Sequence, residues 1–393
     1  MDPVNHLIAA AHSSEWAKIV ASLISTTRDW ELAQDAASEA FSRAVERWND
    51  EQIPPNPGAW LMTVARNYAL DILRRRVVER AKLAEVAAMA LEPTGVQDTR
   101  LNLIFTCCHP ALDQAAQVAL TLRTVAGLTI ADIARTFVTS ESAMAQRLVR
   151  ARAKLKRDAV PYRVPPPEEY EKRLSAVLAV VYLTFDHGYT AMSEPSGAAT
   201  AVELSDQLVD LMPMESEARG LNALLTFQHS RRLARLGEDG GLVSIEDQDR
   251  RLWRHDEIER ARTLMRGATS NGPYSILAMI AREHAVVAVA SETNWARIVD
   301  LYDDLLTMSP SPIIEFNRAI AVGMRDDPDI GLHLLEQLST RLGGYRLFAA
   351  ARADLLARRG SAIEAATQYR QAILLADTDA ERIALQRRLS RMS

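Results

Sequence analysis

Small and apolar residues recur every four positions along one early stretch of the chain: Leu32, Ala36, Ala40, Ala44 and Trp48, flanked by Ala33, Ala37, Phe41 and Val45. That spacing predicts a helix with one buried stripe, entered at Asp29 as its N-cap. The same period carries through most of the sequence, and no stretch alternates with period two for long enough to suggest a strand. Glycine and proline fall at the ends of the periodic segments, where breakers belong. The expected fold class is therefore all-α.

A chain of 393 residues has room for two or three domains at roughly 100–200 residues each. A core of that size needs neither disulfide nor metal. The two cysteines, Cys107 and Cys108, are adjacent; neighbours seldom close a useful disulfide, which suits a reducing compartment. Residues 1–10 lack the basic segment and apolar run of a signal peptide. No apolar stretch reaches the ~20 residues of a membrane span, so a soluble, cytoplasmic protein without membrane contact is expected. The net charge of −5 argues against a general nucleic-acid coat, but the charge is uneven. Arg147, Arg150, Arg152, Lys154, Lys156 and Arg157 form one basic run, and Arg66, Arg74, Arg75, Arg76 and Arg80 form another. From Pro165 onward acids dominate.

These breaks divide the chain into a first unit at 1–80, a linker at 81–99, a second unit at 100–163 and a large helical extension at 168–393. In the first unit, Pro54-Pro55-Asn56-Pro57 forbids helix, then opens a new one with Asn56 as cap and Pro57 at its first position. Trp60, Leu61, Val64, Ala65, Tyr68 and Ile72 give that helix its buried face. Trp60, Tyr68 and Trp48 could stack on bases, but at helical spacing the first two are expected in the core. The extension ends in an internal repeat over about 298–380. Ala353, Ala365, Tyr369 and Ala372 have tetratricopeptide spacing, and Ala319, Gly331, Leu335 and Leu338 precede them by about 34 residues. A further step back reaches Tyr302 and Leu305, closed by Pro310.

The sharpest local signal lies at 127–156. Thr129 and Asp132 make a capping box that opens a short helix with Ile130, Ile133, Ala134 and Phe137 on its buried side. A three-residue turn follows, and Ser140 caps a second helix whose apolar positions are Met144, Leu148 and Ala151. Ser142, Ala143, Gln146, Arg147, Arg150 and Lys154 are its candidate DNA-binding residues. Its N-terminal residues suit base edges in a major groove, where Gln pairs with adenine and Arg with guanine, and the later cations suit phosphates. A helical hairpin with a solvated basic face is the bland alternative.

Two motif sets in order then point to a family. Asp35-Ala-Ala-Ser-Glu39-Ala-Phe41 and Pro57-Gly-Ala-Trp60 through Arg66-Asn67, Asp71 and Arg74-Arg75-Arg76 closely resemble region two of extracytoplasmic-function sigma factors, in the sigma-70 family. Gly127-Leu128-Thr129-Ile-Ala-Asp132-Ile133-Ala134 resembles their region four. Phe105-Thr106-Cys107-Cys108-His109-Pro110, with Asp186-His187-Gly188-Tyr189, Asp247-Gln248-Asp249-Arg250, Pro310-Ser311-Pro312 and Asn317-Arg318-Ala319, resembles the subgroup with a tetratricopeptide-containing C-terminal extension. The chain departs from the family at Asp186-His187, usually Asn-Glu, and at Ala143 and Ser140, often Thr and Pro.

The resemblance implies two small helical sigma domains and a large helical C-terminal domain. It implies a subunit with no catalytic chemistry and no cofactor. Asp35, Glu39, Phe41 and Arg43 would meet the β′ clamp of core RNA polymerase. Asn56, Arg66, Asn67, Asp71, Arg74 and Arg75 would hold the −10 element of promoter DNA, and region four would read the −35 element. The extension is acidic and the DNA-facing units are locally basic, so control in cis is expected, either by intramolecular docking that masks promoter-binding surfaces or by contact with the polymerase that activity requires. A peptide or protein partner for the extension is the further alternative. A helix-turn-helix regulator with a helical sensor domain, and an interaction scaffold, remain as alternatives. Metal at Cys107-Cys108-His109 lacks a second ligand pair, and His187 beside Tyr189 and Glu194 lacks a nucleophile–base motif.

Overall fold

The computed structural model describes residues 3–48, 53–78, 99–137, 139–190, 196–266 and 272–392. Residues 81–98 of the expected linker at 81–99, Arg80, residues 49–52 and Glu194 lie outside them, as do the side chains of Arg76 and His187. The regular structure among the described residues is helical, and their one β feature is an isolated bridge between Leu236 and Leu242. Two compact units divide the chain, Met1–Leu208 and Val209–Ser393.

In the first unit, α1 (Pro3–Thr27), α2 (Trp30–Arg47) and α3 (Pro57–Val78) pack as a bundle. Local chemistry sets their starts. The Leu32 amide donates to Asp29 Oδ1 at 3.0 Å, and the Ala59 amide to Asn56 Oδ1 at 3.0 Å. The alanines of α2 are fully buried, which lets the helices approach closely. Two expectations for α2 need correcting. Val45 is 61% exposed, because the stripe narrows toward the helix end and turns it to solvent. Phe41 is buried against His12 and Trp16, with ring centroids 4.9 and 6.1 Å away, so it belongs to the bundle core and not to a partner-binding surface. Trp60 is half-buried and meets Trp48 edge-on at 5.4 Å.

Next come α4 (Arg100–Cys107), α5 (Gln114–Thr124), α6 (Ile130–Thr136) and α7 (Glu141–Arg157). Cys107 and Cys108 are buried free thiols. Burial pushes the Cys107 thiol up to about 12, against the opposing hydrogen bond it shares with Thr124. The turn after them is closed by Gln117, whose Nε2 donates to the His109 and Leu112 carbonyls at 3.0 and 3.2 Å. The Phe105–Pro110 motif is thus packing and turn. A short 3₁₀ turn at Pro167–Glu169 leads into α8 (Glu171–Thr190), followed by α9 (Ser196–Leu211).

These two helices open the extension, yet they are built into the first unit. Arg173 of α8 is buried and its Nη1 donates to the Phe105 carbonyl at 3.3 Å. On α9, Glu203 accepts from both terminal nitrogens of the buried Arg100 at 3.1 Å, and Thr200 Oγ1 donates to the Ser13 carbonyl at 3.3 Å. Gly188 lies where α8 meets α9: a Cβ there would fall 2.5 Å from the Ala198 amide nitrogen. Asp186 is exposed and Tyr189 stacks on the buried Phe185 at 5.0 Å.

In the second unit α10 (Ser216–His229), α11 (His255–Leu264) and α12 (Pro273–Ala285) precede α13 (Trp295–Met308), α14 (Pro312–Arg325), α15 (Pro328–Leu342), α16 (Arg346–Arg358), α17 (Ala362–Leu374) and α18 (Asp379–Ser390). The starts of α14 and α16 are 34 residues apart, as are those of α15 and α17, giving two tetratricopeptide-like hairpins. Ala319, Leu335, Ala353, Ala365, Tyr369 and Ala372 all face the core between them. Asp247-Gln248-Asp249-Arg250 lies in a loop of this unit. Asp249 caps a 3₁₀ turn by accepting from the Arg251 amide, and Arg250 Nη1 donates to the His284 and Val287 carbonyls at 2.7 and 3.2 Å.

Candidate nucleic-acid interface

The capping box forms as the spacing requires. The Asp132 amide donates to Thr129 Oγ1 at 3.1 Å, and the Thr129 hydroxyl donates to Asp132 Oδ2. The Ala143 amide donates to Ser140 Oγ at 3.2 Å and starts α7. Met144, Leu148, Ala151 and Leu155 fix the buried side of α7. On its other side Ser142, Ala143, Gln146 and Arg150 are exposed. Arg147 and Lys154 are half-buried, the first with its guanidinium over the Phe137 ring at 5.7 Å. Positions 143, 146, 147, 150 and 154 follow the helical period, so one face carries the base-reading types early and cations late. Lys154, Lys156 and Arg157 also oppose the negative end of the helix dipole.

On α3, Asn67, Asp71, Arg74 and Arg75 are exposed and share a face, while Arg66 is half-buried. Arg74 and Asp71 stand 3.7 Å apart with both side chains mostly in solvent, a pairing too weak to hold the guanidinium from another partner. Asn56 is exposed, with its carboxamide oxygen committed to the cap of α3. On α2, Asp35 is exposed, and Glu39 and Arg43 pair at 2.8 Å.

Arg152 departs from the expectation for the basic run. Its place beside Leu148, Ala151 and Leu155 turns it toward α2, where Nη2 donates to Oε1 of the buried Gln34 at 2.8 Å. It is therefore a link between the first bundle and the helix-turn-helix. Burial holds it below the ordinary guanidinium range, while Glu31 pulls the other way and Arg123 adds to the fall. Nearby, Arg123 lies over the Trp16 ring at 6.0 Å. Gly127, at a φ of 70°, faces His12 and Trp16 so closely that a Cβ would sit 2.7 Å from His12 Cε1. The Tyr162 hydroxyl donates to the Ala21 carbonyl at 3.1 Å. The junction is under-satisfied: among the described residues, Gln34 Nε2 and Arg152 Nε are buried without a hydrogen-bond partner. The sequence signal for this link was a polar Gln34 inside an alanine stripe, since a buried amide needs a partner.

No group of His, Cys, Asp and Glu among the described residues could hold a metal ion, and none of their helices is long and apolar enough to cross a membrane.

Comparison with known proteins agrees with the geometry. Residues 10–78 match the model for Sigma-70 region 2, and residues 102–155 match that for Sigma-70, region 4. Residues 173–269 match a family of unknown function, DUF6596, and so run from α8 into the second unit. An uncharacterized protein of Rhizobium meliloti (strain 1021) is 38% identical over 385 residues, covering 93% of this chain and 91% of its own length. No solved structure matches the chain. A region-two bundle carrying α3, followed by a capped region-four helix-turn-helix and a helical extension, places the chain in the sigma-70 family, as an extracytoplasmic-function-like sigma factor with a C-terminal extension.

Proposed function

We propose that the chain binds core RNA polymerase through α2, reads a −35 element with α7 and a −10 element with α3, and so directs transcription initiation in the cytoplasm. It does so without catalytic chemistry or a cofactor of its own. The observation that carries this reading is the occurrence, on two modules of one chain, of two exposed polar faces. One is Ser142, Ala143, Gln146 and Arg150 on a capped recognition helix; the other is Asn67, Asp71, Arg74 and Arg75 on α3. The first suits base edges in duplex DNA. The second suits the backbone of a strand whose base has been taken from the stack, a step that needs a few kcal/mol. Asp35, Glu39 and Arg43 give α2 a charged surface for the clamp.

The extension's share in this is control in cis. Its first two helices tie region two and region four together through Arg100–Glu203, Thr200–Ser13 and Arg173–Phe105. Arg152 and Arg123 both feel the charge of Asp35, which would be needed for the clamp. Release of that junction would then precede promoter reading.

Run-off transcription with core RNA polymerase, the full chain and a library of promoter fragments tests the reading. Specific transcripts are expected, and Arg147→Ala should lower them roughly 5- to 150-fold at promoters whose −35 guanine it reads, the equivalent of about 1–3 kcal/mol. Absence of transcripts together with absence of core binding would leave a helix-turn-helix regulator.

A further inference from the structure

The second unit holds a cleft of about 710 Å³ walled by the helical repeats on one side and by a loop of the chain's own, 237–250, on the other. Tyr302, Asn317, Ile320, Leu347 and Ala351 lie along the repeat side, and Arg358, Arg388 and Arg391 make its end basic. Asp354 is already engaged there, accepting from Arg388 at 2.7 Å and from the Tyr369 hydroxyl at 2.6 Å.

The loop is fastened at both ends, and its middle keeps a turn of its own in which Ser244 Oγ donates to Asp247 Oδ2 at 2.9 Å. At one end Asp239 pairs with Arg387, and the Leu242 amide donates to the Ala380 carbonyl at 2.9 Å. At the other, Gln248 is buried and Arg250 grips the carbonyls at the end of α12. Between them Ser244, Ile245, Glu246 and Asp247 line the cleft. Glu246 accepts from Arg358 at 2.6 Å, and Asp247 stands 3.8 Å from Arg391; all four charged side chains are substantially exposed. Exposed pairs of this kind contribute little and exchange readily for an equivalent carboxylate.

We infer that this cleft is a docking groove for an acidic linear segment of another protein, an aliphatic residue followed by two carboxylates, and that Ile245-Glu246-Asp247 is the built-in occupant such a segment displaces. The charge complementarity is on display in the chain's own contacts: an apolar floor ending in three arginines, with an aliphatic–acidic–acidic tripeptide against it.

The probe is a fluorescein-labelled synthetic peptide of residues 243–249, Val-Ser-Ile-Glu-Asp-Gln-Asp, followed by fluorescence anisotropy on the full chain. E246Q/D247N should loosen the loop and raise affinity for the probe about tenfold over wild type, because the competing intramolecular state is weakened. Adding R358E should abolish binding, and a probe carrying E246K should then bind, a rescue that a misfolded variant could not give. Equal binding to wild type and E246Q/D247N, or binding that survives R358E, would overturn the proposal. So would dimerisation of the wild-type chain by light scattering, which would assign the groove to a second copy's loop.

Discussion

The two units solve the same problem, holding helices together with polar contacts, in opposite ways. In the first, arginines with almost no exposure join segments far apart in sequence: Arg100 to Glu203, and Arg173 to the Phe105 carbonyl. Arg152 does the same across 118 residues to reach Gln34. Between the helices of the repeats themselves, ion pairs sit at the surface and join near neighbours, although Arg358 also reaches Glu246 across 112 residues. Arg318 pairs with Asp303, Arg341 with Glu315 at 2.9 Å, and Arg359 with Asp329 at 3.0 Å. The repeats are therefore a stack whose stability is close to a sum of neighbouring interfaces. Their exposed pairs are worth ~0–1 kcal/mol each, so apolar packing must carry them. The first unit is a closure, in which a few long-range polar links, Arg152 to Gln34 among them, couple modules that the family uses for different tasks.

The largest expected effect tests the stack. Leu335 is fully buried in a cluster with Phe316, Leu338, Phe348 and Leu355. Leu335→Ala should lower the stability of the repeats by roughly 2–5 kcal/mol through lost transfer energy and a cavity. Hydrogen exchange should show the loss concentrated in α14–α16 and fading along the stack. Uniform loss across α10–α18 would mean that the unit is one cooperative closure, and the contrast with the first unit would fall.

A second prediction sharpens the comparison through pH. His284 packs edge-on against Trp295 at 5.3 Å and faces Arg231 and Arg250. Burial first, then those two guanidiniums, depress its pKa to about 4. The folded state thus favours the neutral ring. Its contribution is fully present above the unfolded value near 6.5 and is lost as pH falls from there toward 4, on the order of 3 kcal/mol in all. Unfolding free energy followed by urea titration between pH 7 and 4 should show this loss, and His284→Phe should flatten it while keeping a ring against Trp295. An unchanged profile in that variant would move the acid sensitivity elsewhere.

What the sequence disclosed and what it withheld follow the same division. Asp29, Asn56 with Pro57, Thr129 with Asp132, and Ser140 all act within three residues of themselves, so their caps were legible from spacing alone. The repeat was legible because its small residues recur at 34. The junction was not. Arg152 read as one more cation in a basic run until its neighbours Leu148, Ala151 and Leu155 set which way the helix faces. Phe41 carried a family signature and a core position together, and burial against His12 and Trp16 decides for the core. Asp247-Gln248-Asp249-Arg250 looked like a signature without a task; the grip of its Arg250 on α12 depends on a helix more than thirty residues away.

The smallest expected effect on stability bears most on function. Gln34→Leu removes the acceptor of Arg152 Nη2 and strands a buried guanidinium, worth roughly 1–3 kcal/mol. Part of that is offset, because Gln34 Nε2 is itself buried without a partner. A net loss near 1 kcal/mol would be hard to see by global unfolding but would open the junction. If α2 must be uncovered before core polymerase binds, apparent affinity scales with the open fraction, and a change of about 1 kcal/mol corresponds to roughly fivefold tighter binding. Hydrogen exchange should quicken in α2 and α7 together. Binding to core polymerase that stays the same while exchange quickens would show that the junction is structural only, and that closure in the first unit has no part in control.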